Sequence, residues 1–351
     1  MSDLFARVKR LQLKILTGEL VVIARPADIR YFTNFVCLNP EEREAFFVVS
    51  KQSAVLLYPS FSPVTKLKKI SYHAGYWPSD LKNVAKKVIE NEKIETCLID
   101  AGSLFVTEYQ ALGELHCKLG SLDQSLIWRL RAVKSEEEIE LLTKAGQLTA
   151  QVMERVFEQL AVGVSELEVT KQVEILLRQL GGDSAAFPPV IAFGAHSALP
   201  HHQPTGMKLK REMPVLIDIG VKFQGYCGDM TRTKWFGNKP RQKFLEIEQL
   251  VKQAYQAALT AVCGGQADRV DLVARQMIDQ AGFGEHFIHT TGHGVGLEIH
   301  EQPSLYFKQP AQLPVDAVIT IEPGVYFEND WGYRYENMVV VKNGGCRELT
   351  S

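Results

Sequence analysis

Four acids stand inside apolar, strand-like sequence: Asp218 and Asp229 in "VLIDIGVKFQGYCGDMTRT", and Glu322 and Glu336 in "VITIEPGVYFENDWGYRYENMVVV". Read as a hairpin turning at Phe223-Gln224, the first stretch sets Asp218 directly opposite Asp229. A turn centred on Asn329 does the same for Glu322 and Glu336. Like charges facing each other across a ladder destabilise it, so each pair calls for a counter-charge. Solvated acids on a slipped register are the plainer alternative, but the flanks "VLI" and "TRT" are strand rather than polar loop. Between the two pairs lies "HTTGHGVGLEIHE", with His289, His293 and His300 inside twelve positions of a chain that has nine histidines. Glycines on both sides of His293 let backbone approach closely, and the enrichment favours metal ligation or acid–base work. Four carboxylates carry the charge that two divalent cations would balance, with His293 as a nitrogen ligand. Two such ions about 3.5–4 Å apart lower the pKa of a shared water and polarise a carbonyl, which is hydrolase chemistry.

The elements that must position these residues are readable in outline. "ELVVIARP", "AFFVVS", "SAVLLYP" and "TCLID" have the pattern of strands, and "LKNVAKKVIENE" that of an amphipathic helix, so the amino-terminal part is an α/β domain. Ser135 and Glu138 form a capping box that starts a long helix, and the domain boundary falls just ahead of it, giving domains 1–127 and 128–351. Beyond it, "AVGVSELEVTKQVEILLRQLGG" and "CGGQADRVDLVARQMIDQAGFG" share a layout of glycine, capping position, about four helical turns and glycine again. Each follows a longer helix and precedes strand-like sequence. Two capped helices resemble each other in any protein; the other reading is a duplicated helix-plus-strands half-domain.

Size and composition are consistent with an enzyme acting on a small molecule. At 351 residues the chain exceeds one ordinary core, and about 150 residues per domain implies two. A net charge of −2 with 23% charged residues gives no footprint for nucleic acid or acidic lipid. "MSDLFARVKR" lacks the apolar core of a signal peptide, and no run of about 18 apolar residues could span a bilayer, so the expectation is a cytoplasmic protein. Six cysteines are scattered singly, without zinc-site spacing or disulfide density, and most are expected to be reduced and buried.

The order Asp, Asp, His, Glu, Glu within "DIG", "GDMTRT", "GHGVG", "IEPG" and "YEN" resembles the pita-bread-fold metallopeptidases, among them methionine aminopeptidase, aminopeptidase P, Xaa-Pro dipeptidase (prolidase) and metal-free creatinase. The likeness runs from about residue 130 to the end. It implies an α+β catalytic domain with duplicated half-domains, and Asp218, Asp229, His293, Glu322 and Glu336 as ligands of two divalent ions, Asp229 and Glu336 bridging. Manganese suits the carboxylate-dominated set, with cobalt, zinc or iron as alternatives. The likeness also implies that His201, in "GAHSALPHHQPT", shapes the proline-side pocket. His289 and His300 match the histidines flanking the ligand histidine, and Arg334 the arginine before the last glutamate. The first 125 residues, with "DIRYFTNF", are similar to the creatinase-like amino-terminal domain of prolidases and aminopeptidases P. The branch implied is therefore an exopeptidase cutting the bond before proline in a di- or oligopeptide, most simply an Xaa-Pro dipeptidase, with an Xaa-Pro aminopeptidase or an inactive binding protein as alternatives, and commonly a homodimer.

Within that reading His201 or His300 stabilises the oxyanion and Glu322 shuttles the proton. Tyr326 and the region of Phe187 are expected as pocket walls. Arg334 either pairs with a substrate carboxylate or forms a salt bridge to a ligand carboxylate. Two positions depart from the family pattern, His202 after the pocket histidine and Asn337 after the last glutamate, and both are expected to alter the surroundings of the ligands.

Overall fold

The computed structural model describes residues 2–39 and 42–350. The chain forms two compact units, Met1–Arg131 and Ala132–Ser351.

The amino-terminal unit is built on a six-stranded mixed sheet in the order Ser71–Ala74, Ala54–Tyr58, Phe46–Ser50, Glu19–Ile23, Thr96–Ile99, Lys118–Ser121. The four interior strands are those legible in the sequence. The helix Pro78–Glu92 buries Leu81, Val84, Ala85, Val88 and Ile89 against the sheet core, an apolar stripe at helical spacing. The two edge strands, "SYHA" and "KLGS", carry no buried residue and so no apolar signal.

The second unit repeats one plan. Its first half runs helix Glu136–Gln159, helix Glu166–Gln179, strand Val190–Phe193, strand Met213–Ile219, a short hairpin (Val221–Phe223 with Tyr226–Cys227) and strand Met230–Phe236. The second half runs helix Gln242–Ala261, helix Ala267–Gln280, strand Gly292–Gly294, strand Val318–Ile321, a hairpin (Gly324–Phe327 with Trp331–Arg334) and strand Asn337–Lys342. In both, the second strand is central and is flanked by the first and the last. Both second helices also begin at an isolated bridge, Ser165 with Lys208 and Gln266 with Gln312. The duplicated half-domain is therefore the correct reading of the two glycine-bounded helices.

The helices pack by the same logic in each half. Leu148, Val152, Met153 and Val156 cluster with Val215, Ile217 and Ile219, while Ile247, Val251, Ala254 and Ala258 cluster with Ile319, Ile321 and Val339. Full burial of the Val, Leu, Ile and Met side chains among them contributes about 1.5–3 kcal/mol each. The Ser135 capping box is present, the hydroxyl accepting from the Glu138 N–H.

The first hairpin turns two residues away from the expected register sum. Phe223 pairs with Tyr226, which places the turn at Gln224-Gly225, both with positive φ (47° and 87°). Such a turn matches the strand twist, and glycine takes it without strain. Asp218 consequently faces Thr231, and Asp229 lies diagonally rather than opposite. The second hairpin follows the expected register: Ile321 pairs with Asn337 and Gly324 with Arg334, bracketing Glu322 and Glu336 at facing positions around Asn329 (φ 60°).

Candidate active site

Each half delivers two acids at its central and last strands: Asp218 within Met213–Ile219, Asp229 just ahead of Met230–Phe236, Glu322 just after Val318–Ile321 and Glu336 just ahead of Asn337–Lys342, while His293 comes from the strand Gly292–Gly294. Glycine at 292 is required there, because a Cβ would lie 2.1 Å from the Thr320 carbonyl oxygen. His293 Nε2 stands 3.3 Å from Glu322 Oε1 and 3.7 Å from Asp229 Oδ2. Donor atoms of Asp229, His293 and Glu336 lie within 4.8 Å of one another. All five expected ligands line one pocket of about 630 Å³, as do His201, His289, His300, Arg334 and Phe187.

The halves brace each other's acids. Arg334, from the second hairpin, donates to Asp218 Oδ2 at 2.6 Å, and Thr231, from the first half, donates to Glu336 Oε2 at 2.6 Å. Arg334 Nε in turn donates to the Thr231 hydroxyl at 3.0 Å, and its Nη1 to the Tyr326 hydroxyl at 2.8 Å. With all three nitrogens engaged, Arg334 is a salt bridge to a ligand-type carboxylate. Tyr326 is also within 2.9 Å of His289 Nε2 and does not line the pocket, so it links these side chains rather than forming a wall.

Charge is out of balance in this pocket. Burial first, then the neighbouring carboxylates, push Asp229 and Glu336 well above the ordinary carboxylate range. Burial, opposed by Arg334 and reinforced by Asp218, pushes Glu322 up to about 7. Burial holds His293 and His300 below their usual value, and it takes His289, with Arg334 adding to it, down to about 3. Four carboxylates thus face one guanidinium and the neutral imidazoles of His289, His293 and His300, while Asp218 Oδ1 is buried with no hydrogen-bond partner. An orphaned carboxylate oxygen and a surplus of acid are what a cation relieves, so this donor set fits divalent metal.

Several participants were not singled out in the sequence. Thr320 accepts from the His293 N–H (3.1 Å) and donates to Glu322 (3.3 Å), and Thr231 ties Glu336 to Arg334. Both threonines lie at even spacing from an acid, which puts them on the same strand face; that is the signal available. Asn337 uses both ends of its amide, accepting from Arg232 and donating to Tyr255 and Glu348, and Arg232 also donates to the Glu336 carbonyl. His202 turns to Glu166. The cysteines differ from expectation: all six are free, but two are buried, three half-buried and one exposed.

A two-half unit that gathers four acids and an imidazole into one braced pocket defines a metal-dependent hydrolase. Residues 7–133 match the creatinase/prolidase N-terminal domain, and residues 140–343 match metallopeptidase family M24. The chain belongs to metallopeptidase family M24. It is 32% identical over 345 residues to an uncharacterized peptidase of Staphylococcus saprophyticus, covering 97% of both chains. Its structure is similar to an Xaa-Pro dipeptidase from Bacillus anthracis (TM-score 0.89, 28% identity, covering 99% of this chain and 98% of that one). It is also similar to an X-Pro aminopeptidase from Thermotoga maritima (TM-score 0.85, 28% identity, 97% of each chain covered). Among the described residues no helix is long and apolar enough to cross a membrane.

Proposed function

We propose that this chain is a dinuclear-metal-dependent exopeptidase that hydrolyses the bond before proline, acting as an Xaa-Pro dipeptidase. The observation that carries this is the surplus of buried acid around His293, beside four further histidines in the same pocket, His201, His202, His289 and His300. Two divalent ions held by Asp218, Asp229, His293, Glu322 and Glu336 would supply an activated water and polarise the scissile carbonyl. Manganese suits the oxygen-rich set, with cobalt, zinc or iron as alternatives.

The chain's own residues do the rest. Glu322, at about 7, is poised to take a proton and return it to the proline nitrogen as the bond breaks. His289 is neutral at working pH, and its contact with Tyr326 fixes the ring. His201 and His300, both exposed at the pocket, would donate to the developing oxyanion. Proline presents no N–H and a fixed φ, so an apolar wall containing Phe187, Pro188 and Pro189 selects it by shape. The reading includes a cytoplasmic homodimer; six cysteines with no disulfide among them suit a reducing compartment.

One observation favours the aminopeptidase alternative. A second cavity of about 750 Å³ shares Phe187, Pro188, Pro189 and Pro204 with the pocket and offers room beyond proline. Hydrolysis of Gly-Pro against Gly-Pro-Pro and longer peptides, read by mass spectrometry with manganese, cobalt or zinc supplied, separates the two. Turnover of Gly-Pro alone supports the dipeptidase; failure to cut any of them removes the peptidase reading.

A further inference from the structure

A second convergence of ligand-type side chains lies at the start of the helix Glu166–Gln179 and shares no residue with the acids around His293. The Glu166 side chain is fully buried. His196 Nδ1 stands 2.8 Å from its Oε1, and His202 Nε2 stands 3.0 Å from its Oε2. The two imidazole rings are 4.3 Å apart at their centroids and tilted by 32°. His196 keeps 31% of its side-chain surface exposed, against 7% for His202, so the cluster has a mouth on one side and closed ligands behind it.

The carboxylate also has donors besides these rings. Oε1 already accepts from the Phe193 N–H at 2.9 Å, and Oε2 from the Thr205 N–H at 2.9 Å and the Thr205 hydroxyl at 2.8 Å. Those three neutral donors give each oxygen a partner. Burial pushes the Glu166 carboxyl up, but the bonds from His202, Phe193, His196 and Thr205 outweigh it and hold the group below the ordinary carboxylate range. The two histidines, nearly stacked on one ionised acid, turn toward it ring nitrogens that donate hydrogen in the metal-free protein and would present lone pairs to an ion once that proton sits on the other ring nitrogen.

Metal bonds of about 2.0–2.2 Å set tetrahedral neighbours roughly 3.3–3.6 Å apart. The 2.8 and 3.0 Å nitrogen–oxygen separations are those of hydrogen bonds, which an ion would open by about half an ångström. Two histidines and one carboxylate are the donor set of zinc, iron or cobalt, and the three neutral donors on Glu166 would fix its orientation toward an ion. We infer that Glu166, His196 and His202 form a divalent-metal site of the zinc and cobalt class, separate from the pocket cluster, and that an ion there fastens the loop carrying His201 into the pocket.

The test counts ions rather than turnover. Chelator-stripped full-length protein is dialysed against cobalt(II) chloride, and bound cobalt and its visible absorption are measured in three forms: wild type, Asp229→Ala/Glu336→Gln, and His196→Asn/His202→Asn. The pocket-disabled form is expected to keep about one equivalent with a d–d band, and the double-histidine form to lose that band while keeping whatever the pocket binds. Adding His196→Asn alone to the pocket-disabled form, a change at a half-exposed ring, should weaken the remaining site about tenfold or more. Metal-free unfolding curves of each variant report whether folding is intact. A pocket-disabled protein that is folded yet binds no cobalt overturns the inference and leaves a hydrogen-bonded hub; the histidine variant keeps the five expected pocket ligands in place, although His202 also borders the pocket, so its remaining cobalt reports on those ligands.

Discussion

The two halves of the catalytic unit share one plan and differ in register. In the second half the acids face each other, bracketed by Ile321 with Asn337 and Gly324 with Arg334. In the first half the two-residue turn at Gln224-Gly225 moves Asp218 opposite Thr231 and leaves Asp229 on the diagonal. The offset creates the bracing: Thr231 fills the position an acid would otherwise hold and donates to Glu336, while Arg334 reaches back to Asp218. Duplication alone would give two like-charged pairs; the difference of two residues gives each half a donor for the other half's acid. Asp218 and Glu336 each take a donor from the other half, whereas Glu322 takes one from Thr320 in its own.

The harshest way to break this comparison is to remove an acid from the half that has only one of its pair braced. Asp229→Ala takes away a buried carboxylate next to His293 and Glu336. Loss of the several kcal/mol that metal-assisted activation supplies would cut kcat/KM for an Xaa-Pro dipeptide by about 10³-fold or more. Bound metal, measured by elemental analysis, should fall with it. Retention of both would show that the diagonal acid is a bystander.

Next in size is the pH dependence of the metal-free protein. Asp229, Glu322 and Glu336 all have native pKa values raised above the ordinary range, so over that interval the folded chain holds more protons than the unfolded chain. Stability from these groups is then fully present below their unfolded values and is lost as pH rises, through about 7 for Glu322. The metal-stripped protein should therefore show a falling Tm between about pH 5 and pH 8 relative to the same protein refilled with manganese. Parallel curves for the two forms would mean that the acids are not relieved by a cation.

How legible this was depended on whether the signal was local. Asn329 in a left-handed turn flanked by alternating residues fixed the Glu322–Glu336 register, because turn chemistry and apolar period agree there. The first hairpin misled, because Phe223-Gln224 and Gln224-Gly225 are both two-residue turns; a glycine at positive φ selects the latter. The error was an even number of residues, so both acids stayed on the face that meets His293 and line the same pocket as Glu322 and Glu336. Edge strands Ser71–Ala74 and Lys118–Ser121 were invisible for want of buried residues. Thr231 and Glu166 gain their roles only through partners about a hundred residues and about thirty to forty residues away, respectively, distances over which no sequence periodicity speaks.

The cross-brace itself supports a smaller prediction. Thr231→Val removes one donor to Glu336 and one acceptor for Arg334 at nearly constant volume. Arg334→Lys keeps the charge but lacks the fork that serves Asp218, Thr231 and Tyr326 at once. Each should lower metal affinity or kcat/KM by about 10–100-fold. Combined, they should fall short of the product of the separate effects, because both act on one network. Full additivity would sever the link drawn between the halves.

The smallest effect compares the two second helices. Ser165 accepts from the Glu168 N–H and Glu168 returns a bond to the Ser165 N–H, whereas Gln266, at the matching bridge position, caps with no side-chain bond. Ser165→Ala should cost about 1 kcal/mol of unfolding free energy. That corresponds to roughly 2–4 °C in Tm for a unit of this size. Gln266→Ser should move the other way by a smaller amount, since Arg269 stands where the first half has Glu168 and the reciprocal bond of the capping box cannot form. Thermal melts of the two variants in metal-free buffer read the signs directly. A loss of stability in Gln266→Ser would mean that the second helix start is held by its bridge to Gln312 in a geometry a serine hydroxyl cannot serve, and the equivalence of the two starts would then stop at the backbone.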